Sequence, residues 1–243
     1  MLKKNSLKRI LALLCQKLQG NTMSNETDEI SNFNFISPHK STSGRKFQIV
    51  DLSLPYQPEE MGEPQYSIIP SIGSDFVEGQ NVTHRLYISE QARKQIFRHI
   101  GWGKNIADNQ VEQGGIMVGH AFVDKEKGLT VGVVRQAFTG QSARGSGAYL
   151  ELSHQTWKEM VDQVDEFLDA NPSEDFQIIG WYHTHPNGLS VFMSGTDRAT
   201  QSRMFAEIWQ FAIVLNPHKQ IWRAFYGKDA VECKGFMLAY TGT

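Results

Sequence analysis

Cysteine is scarce: the 243 residues hold two, Cys15 and Cys233, 218 positions apart. A pair so distant excludes a disulfide framework, an all-cysteine zinc site and a Cys-x-x-Cys redox motif. Long apolar runs are missing as well, since no stretch approaches the ~20 apolar residues of a membrane span. Nor is one sign of charge in excess. With 24 Lys and Arg against 26 Asp and Glu, the formal charge is −2, and the footprint of a dedicated nucleic-acid binder is absent. There is no internal repeat, no His-Glu-x-x-His and no Walker A loop. Residues 142–147 contain Gly-x-Gly without a third glycine, and read as a flexible loop rather than a nucleotide cradle. What remains is a soluble globular protein of a reducing compartment, expected to be cytoplasmic. Its 40% of apolar residues suffices for an ordinary core.

The length is about 1.6 times the ~150 residues of a typical domain, which implies one domain with an appendage. Residues 1–22 carry Lys3, Lys4, Lys8, Arg9 and Lys17 without an acid. Leu7, Ile10, Leu11, Leu14 and Leu18 recur at helical spacing among them, so this segment reads as a basic amphipathic helix. Its apolar run is too short for a signal peptide. The readings left open are a membrane-surface or partner-docking helix, a segment packed on its own domain, or an extension upstream of a start at Met23. Residues 23–80 hold five of the eight prolines and, from Ser24 on, nine acids against three bases. That composition is an acidic arm or linker, in which 47–52 and 66–69 have the pattern of edge strands. The appendage is where a homodimer contact or a protein partner is expected.

Periodicity sharpens from residue 83. Strands are predicted at 84–88, 115–123, 129–134, 149–152, 176–182, 208–215, 220–227 and 231–240. Helices are predicted from the N-cap Ser89 to about Ile100, over 154–170, and near 195–207. Strands interspersed with three helices indicate an α/β or α+β sandwich.

The strand at 176–182 runs into His183-Thr184-His185. Residues i and i+2 of a strand project from one face, so the two imidazoles can converge on a metal. Catalytic zinc takes three protein ligands and keeps a position open, which calls for an oxygen ligand nearby. Ser194-Gly195-Thr196-Asp197 offers one at a helix start, and the same residues approximate a capping box. Hydrolysis further needs a carboxylate to take the proton of the attacking water. Glu112, just ahead of the strand that begins at Gly115, is the candidate.

Taken together these residues resemble the JAMM (MPN-domain) metalloprotease family. Glu112-Gln113-Gly114-Gly115-Ile116-Met117-Val118-Gly119 is similar to its first motif. Gly180-Trp181-Tyr182-His183-Thr184-His185-Pro186 with Phe192-Met193-Ser194-Gly195-Thr196-Asp197 is similar to its second. The resemblance spans 81–243. It implies an α/β fold of the MPN type, a cytidine-deaminase-like mixed sheet sandwiched by helices, with residues 1–80 as an N-terminal extension. It also implies one Zn²⁺ held by His183, His185 and Asp197. Glu112 would be the general base and acid, and Ser194 the hydrogen-bond donor to the oxyanion.

The implied substrate is the amide after the C-terminal glycine of ubiquitin or a ubiquitin-like protein, in deconjugation or precursor processing. Loop 138–148 is then the candidate contact for the substrate tail. His218 and Cys233 are too few for the second zinc of chain-selective members. The compact domain resembles prokaryotic members, some of which accompany ubiquitin-like conjugation in defence against phage.

One departure stands out. Eight residues separate His185 from Ser194, one more than the family's usual seven. The extra residue is expected in 187–190, a turn-rich stretch, or else Asp197 is displaced. The rival within the family is a catalytically inactive scaffold. A cupin, the other user of His-x-His, wants a Glu where Leu189 and Ser190 stand.

Overall fold

Short apolar runs build eleven strands among the described residues, with three helices between them. A computed structural model describes residues 56–60, 67–73, 83–107, 110–140, 144–146, 149–151 and 154–239. The predicted helix in 1–22, the predicted strand at 47–52 and Cys15 lie outside the described residues.

In chain order the first elements are β1 (Glu59–Glu60), β2 (Ser67–Gly73), β3 (His84–Ile88), α1 (Glu90–Ile100), β4 (Gly114–Asp124) and β5 (Leu129–Thr139). Next come β6 (Arg144–Ser146), β7 (Tyr149–Glu151), α2 (His154–Ala170) and β8 (Gln177–Thr184). The last are α3 (Gly195–Met204), β9 (Phe211–Asn216), β10 (Ile221–Tyr226) and β11 (Val231–Ala239). β5 outruns the predicted 129–134 by five residues, because Arg135 and Gln136 interrupt the apolar pattern on a strand still paired to β4. β6, inside the predicted loop 138–148, pairs antiparallel with β7, which lies within the predicted strand 149–152, as a small separate sheet. Two pieces of the acidic arm add strands: β1 runs parallel to β4, and β2, which contains the predicted 67–69, runs antiparallel to β11.

The main sheet is mixed, and it closes on itself. Neighbours run β4-β5-β3-β11-β10-β9-β8, and β8 pairs back antiparallel onto β4. Closure needs sharp curvature, which bulges at Val118/Gly119 and Met117/Val118 supply. Gly180 lies in this bulged stretch at φ 147°, where a Cβ would overlap the Phe211 carbonyl.

Each face of the sheet has its own core. On one, Ala92, Ile96 and Ile100 of α1 pack among Leu86, Ile88, Tyr182, Phe211 and Trp222. On the other, Trp157, Met160, Val161, Val164 and Leu168 of α2 cover Ile116, Val118, Ile178 and Trp181. Full burial of such side chains is worth roughly 1.5–3 kcal/mol each. The helix ends follow the sequence: Ser89 Oγ accepts the Ala92 N–H at 3.2 Å, and Gly101 closes α1 in the left-handed conformation. Among the described residues no helix is long and apolar enough to cross a membrane.

Candidate metal centre

The β4–β8 seam assembles the site. Gly114 stands opposite His183 in the antiparallel register. One step on, Thr184 N–H donates to the Gln113 carbonyl and Gln113 N–H to Thr184 Oγ1, both at 2.8 Å. Continuing this register places Glu112 across from His185. The resemblance joins Glu112 to this site, but periodicity does not show the strand pairing that brings it there across 73 positions. Glu112 is buried and acts electrostatically on His185. α1 braces the same seam: His99 Nδ1 and the Tyr182 hydroxyl share a hydrogen bond of 2.8 Å, and Gln113 Nε2 donates to the His99 carbonyl.

His183 and His185 project from one side of β8's end, as the i, i+2 spacing requires. Their Nε2 atoms are 3.2 Å apart. Asp197 Oδ2 lies 3.3 Å from the first and 3.4 Å from the second. Around a tetrahedral zinc with bonds of about 2.0–2.1 Å, neighbouring donor atoms stand about 3.3–3.4 Å apart. The three atoms therefore form one face of such a tetrahedron. Two imidazoles and a carboxylate, all buried, are also a donor set that zinc accepts.

Orientation comes from each ligand's surroundings. His185 Nδ1 donates to the Ser190 carbonyl at 2.7 Å, which leaves the Nε2 lone pair for a metal. The His183 ring, with no solvent exposure, stacks on Trp181 at 4.5 Å. Asp197 is fixed by the predicted capping box. Ser194 N–H donates to its Oδ2 at 2.8 Å, and Asp197 N–H donates to Ser194 Oγ at 3.2 Å. Burial pushes the Asp197 carboxyl up, but the His183 and His185 imidazoles and Ser194 overcome this and hold it well below the usual carboxylate range. Burial likewise works against protonation of His185. Asp197, the Ser190 carbonyl and Glu112 outweigh it, and the imidazole titrates above its ordinary value.

The extra residue after His185 does not displace Asp197. Asn187 takes it up in the left-handed conformation, φ 58°, within a turn closed by Leu189 N–H to the Pro186 carbonyl. Sequence reasoning missed the neighbours that hold this turn, Asn216, His218 and Lys219, because Asn-Pro-His-Lys reads only as a hairpin turn between strands. Cys233 is buried in the core, away from this chemistry.

A family model described as JAB1/Mov34/MPN/PAD-1 ubiquitin protease matches residues 81–208, a little over half of the chain. No curated protein sequence matches the chain.

Proposed function

Because the chain belongs to the JAB1/Mov34/MPN/PAD-1 family, we propose that it is a zinc-dependent peptidase or isopeptidase. Its substrate is the amide bond after the C-terminal glycine of ubiquitin or a ubiquitin-like protein. The observation that carries this reading is the triangle of His183 Nε2, His185 Nε2 and Asp197 Oδ2, with sides of 3.2–3.4 Å.

Zinc held there would acidify water and polarise the scissile carbonyl. The chain's own residues do the rest. Glu112, buried beside the His185 end of the seam, accepts the proton of the attacking water on its carboxylate. It then delivers that proton to the departing amine. Ser194 Oγ uses a lone pair on the Asp197 N–H, so its hydrogen is the one to donate to the developing oxyanion. Loop 138–148, which contains β6 (Arg144–Ser146), is the candidate guide for an extended Gly-Gly tail, which binds as an added strand.

Zinc quantitation and incubation with ubiquitin-like fusions, with and without chelator, test this. One zinc per chain and chelator-sensitive cleavage are expected. Glu112→Gln should keep the metal and lose about 10²–10⁴-fold in turnover. A chain that binds no zinc overturns the reading. A chain that binds zinc and cleaves no fusion is the inactive scaffold instead.

A further inference from the structure

The turn between β9 and β10 is built for more than reversing the chain. Asn216 has no solvent exposure and uses its whole amide. Its Nδ2 donates to the carbonyls of Asn187 at 3.1 Å and Leu189 at 2.8 Å, while Oδ1 accepts from the N–H groups of His218 and Lys219 at 3.0 and 2.9 Å. Lys219 Nζ donates to the carbonyls of Gly188 and Leu189 at 2.8 and 3.0 Å. His218 Nδ1 accepts the Asn187 N–H at 3.0 Å, and its Nε2 donates to the Ala107 carbonyl at 3.1 Å. Asn187 Nδ2 reaches the Gln110 carbonyl at 3.1 Å, two residues ahead of Glu112.

The carbonyls of residues 187, 188 and 189 are thus all held by Asn216 and Lys219. The next carbonyl, Ser190, is the one presented to Nδ1 of His185. On its other side His185 is pinned through its own N–H to the carbonyl of Leu215, the neighbour of Asn216. We infer that Asn216 is a positioning residue for metal binding: through the 187–190 turn it fixes His185 in the Nδ1–H tautomer, with the Nε2 lone pair facing His183 and Asp197. A loop one residue longer than the family's usual spacing needs this clamp, because each added backbone unit brings a donor and an acceptor that must be satisfied. The inference rests on the metal-binding part of the proposed function.

The test compares the parent with Asn216→Ala and Lys219→Met. Zinc affinity is measured by chelator competition, Co²⁺ binding by its visible spectrum, and the His185 tautomer by imidazole ¹⁵N shifts in the metal-free protein at pH 8. Asn216→Ala should weaken zinc binding about 10–100-fold, the usual effect of losing an outer-shell partner. It should also convert one His185 tautomer into a mixture. Lys219 is exposed, so Lys219→Met keeps the fold and should show a smaller loss in the same direction. A purely structural role would lower thermal stability and leave tautomer and spectrum alone. Affinity within threefold of the parent in both folded variants, with one tautomer retained, overturns the inference while the proposed function stands. A parent that binds no zinc overturns both.

Discussion

One carboxylate oxygen, Oδ2 of Asp197, accepts the Ser194 N–H while facing two imidazole nitrogens. The helix cap and the candidate ligand triangle share this atom, so the first turn of α3 cannot loosen without moving one corner of the triangle. Ser194 serves the cap and, in the proposed reaction, the oxyanion. Ser194→Ala is expected to cost about 1 kcal/mol of stability through the lost cap, read from a urea midpoint. It should also lower kcat about 10²–10³-fold through the lost oxyanion donor, whereas Ser194→Thr should recover most of both. Unchanged kcat in the Ala variant would remove Ser194 from the chemistry and leave it a cap. At this scale the sequence was most legible. His-x-His at the end of an apolar strand and Ser-x-x-Asp at a helix start are short-range patterns, and their geometry follows from 2.0- and 3.6-residue periods. The Ser190 carbonyl and Asn216 were not legible, because a backbone acceptor and a turn residue acquire their roles only through contacts across the fold.

Elements show the same division. α1 and α2 begin where caps and apolar spacing indicate, at Glu90 and His154, and end at Ile100 and Ala170. α3 stops at Met204 rather than near 207 because Phe205 leaves the helix for the core, where it is fully buried. β9 begins at Phe211 rather than 208, since Ile208 is 61% exposed and lies outside the sheet. An apolar run alone gives no sign of where pairing begins. The curvature of β8 was invisible too, although its agent, Gly180, is plain in the sequence. Gly180→Ala should destabilise the protein on the order of 2–4 kcal/mol, since the added methyl meets the backbone of β9 at a φ that L-residues avoid. Denaturant unfolding measures this, and a loss below about 0.5 kcal/mol would show that β9 can shift to accept the methyl.

At the scale of the whole molecule, His84, His99 and His120 make stability respond to acid. Burial lowers the pKa of His84 to about 4, with its ring stacked on Tyr226 at 3.4 Å, and burial lowers His99 and His120 as well. Each is neutral in the fold and takes up a proton near the ordinary ~6.5 when unfolded. Below the ordinary value the unfolded chain binds more protons at these three residues, so their contribution to stability is full above about pH 6.5 and, for His84, is lost as pH falls toward 4, while His185, raised in the fold, acts in the opposite sense. His84→Phe should therefore gain on the parent progressively across that window in urea-unfolding free energy. A difference independent of pH would mean His84 is not a source of the acid sensitivity.

The closed ring of strands carries a further consequence, for the time before folding is complete. Glu112 lies two residues before β4, while His183, His185 and Asp197 come more than 70 residues later, and the ring joins only when β11, the last described strand, slots between β3 and β10. Pairings so remote in sequence are the slowest to form. A chain whose synthesis has not reached β8 holds Glu112 without the strand that would carry His183 and His185 beside it. The triangle of His183, His185 and Asp197 therefore gains its Glu112 side only once β8 has been made and has paired back onto β4.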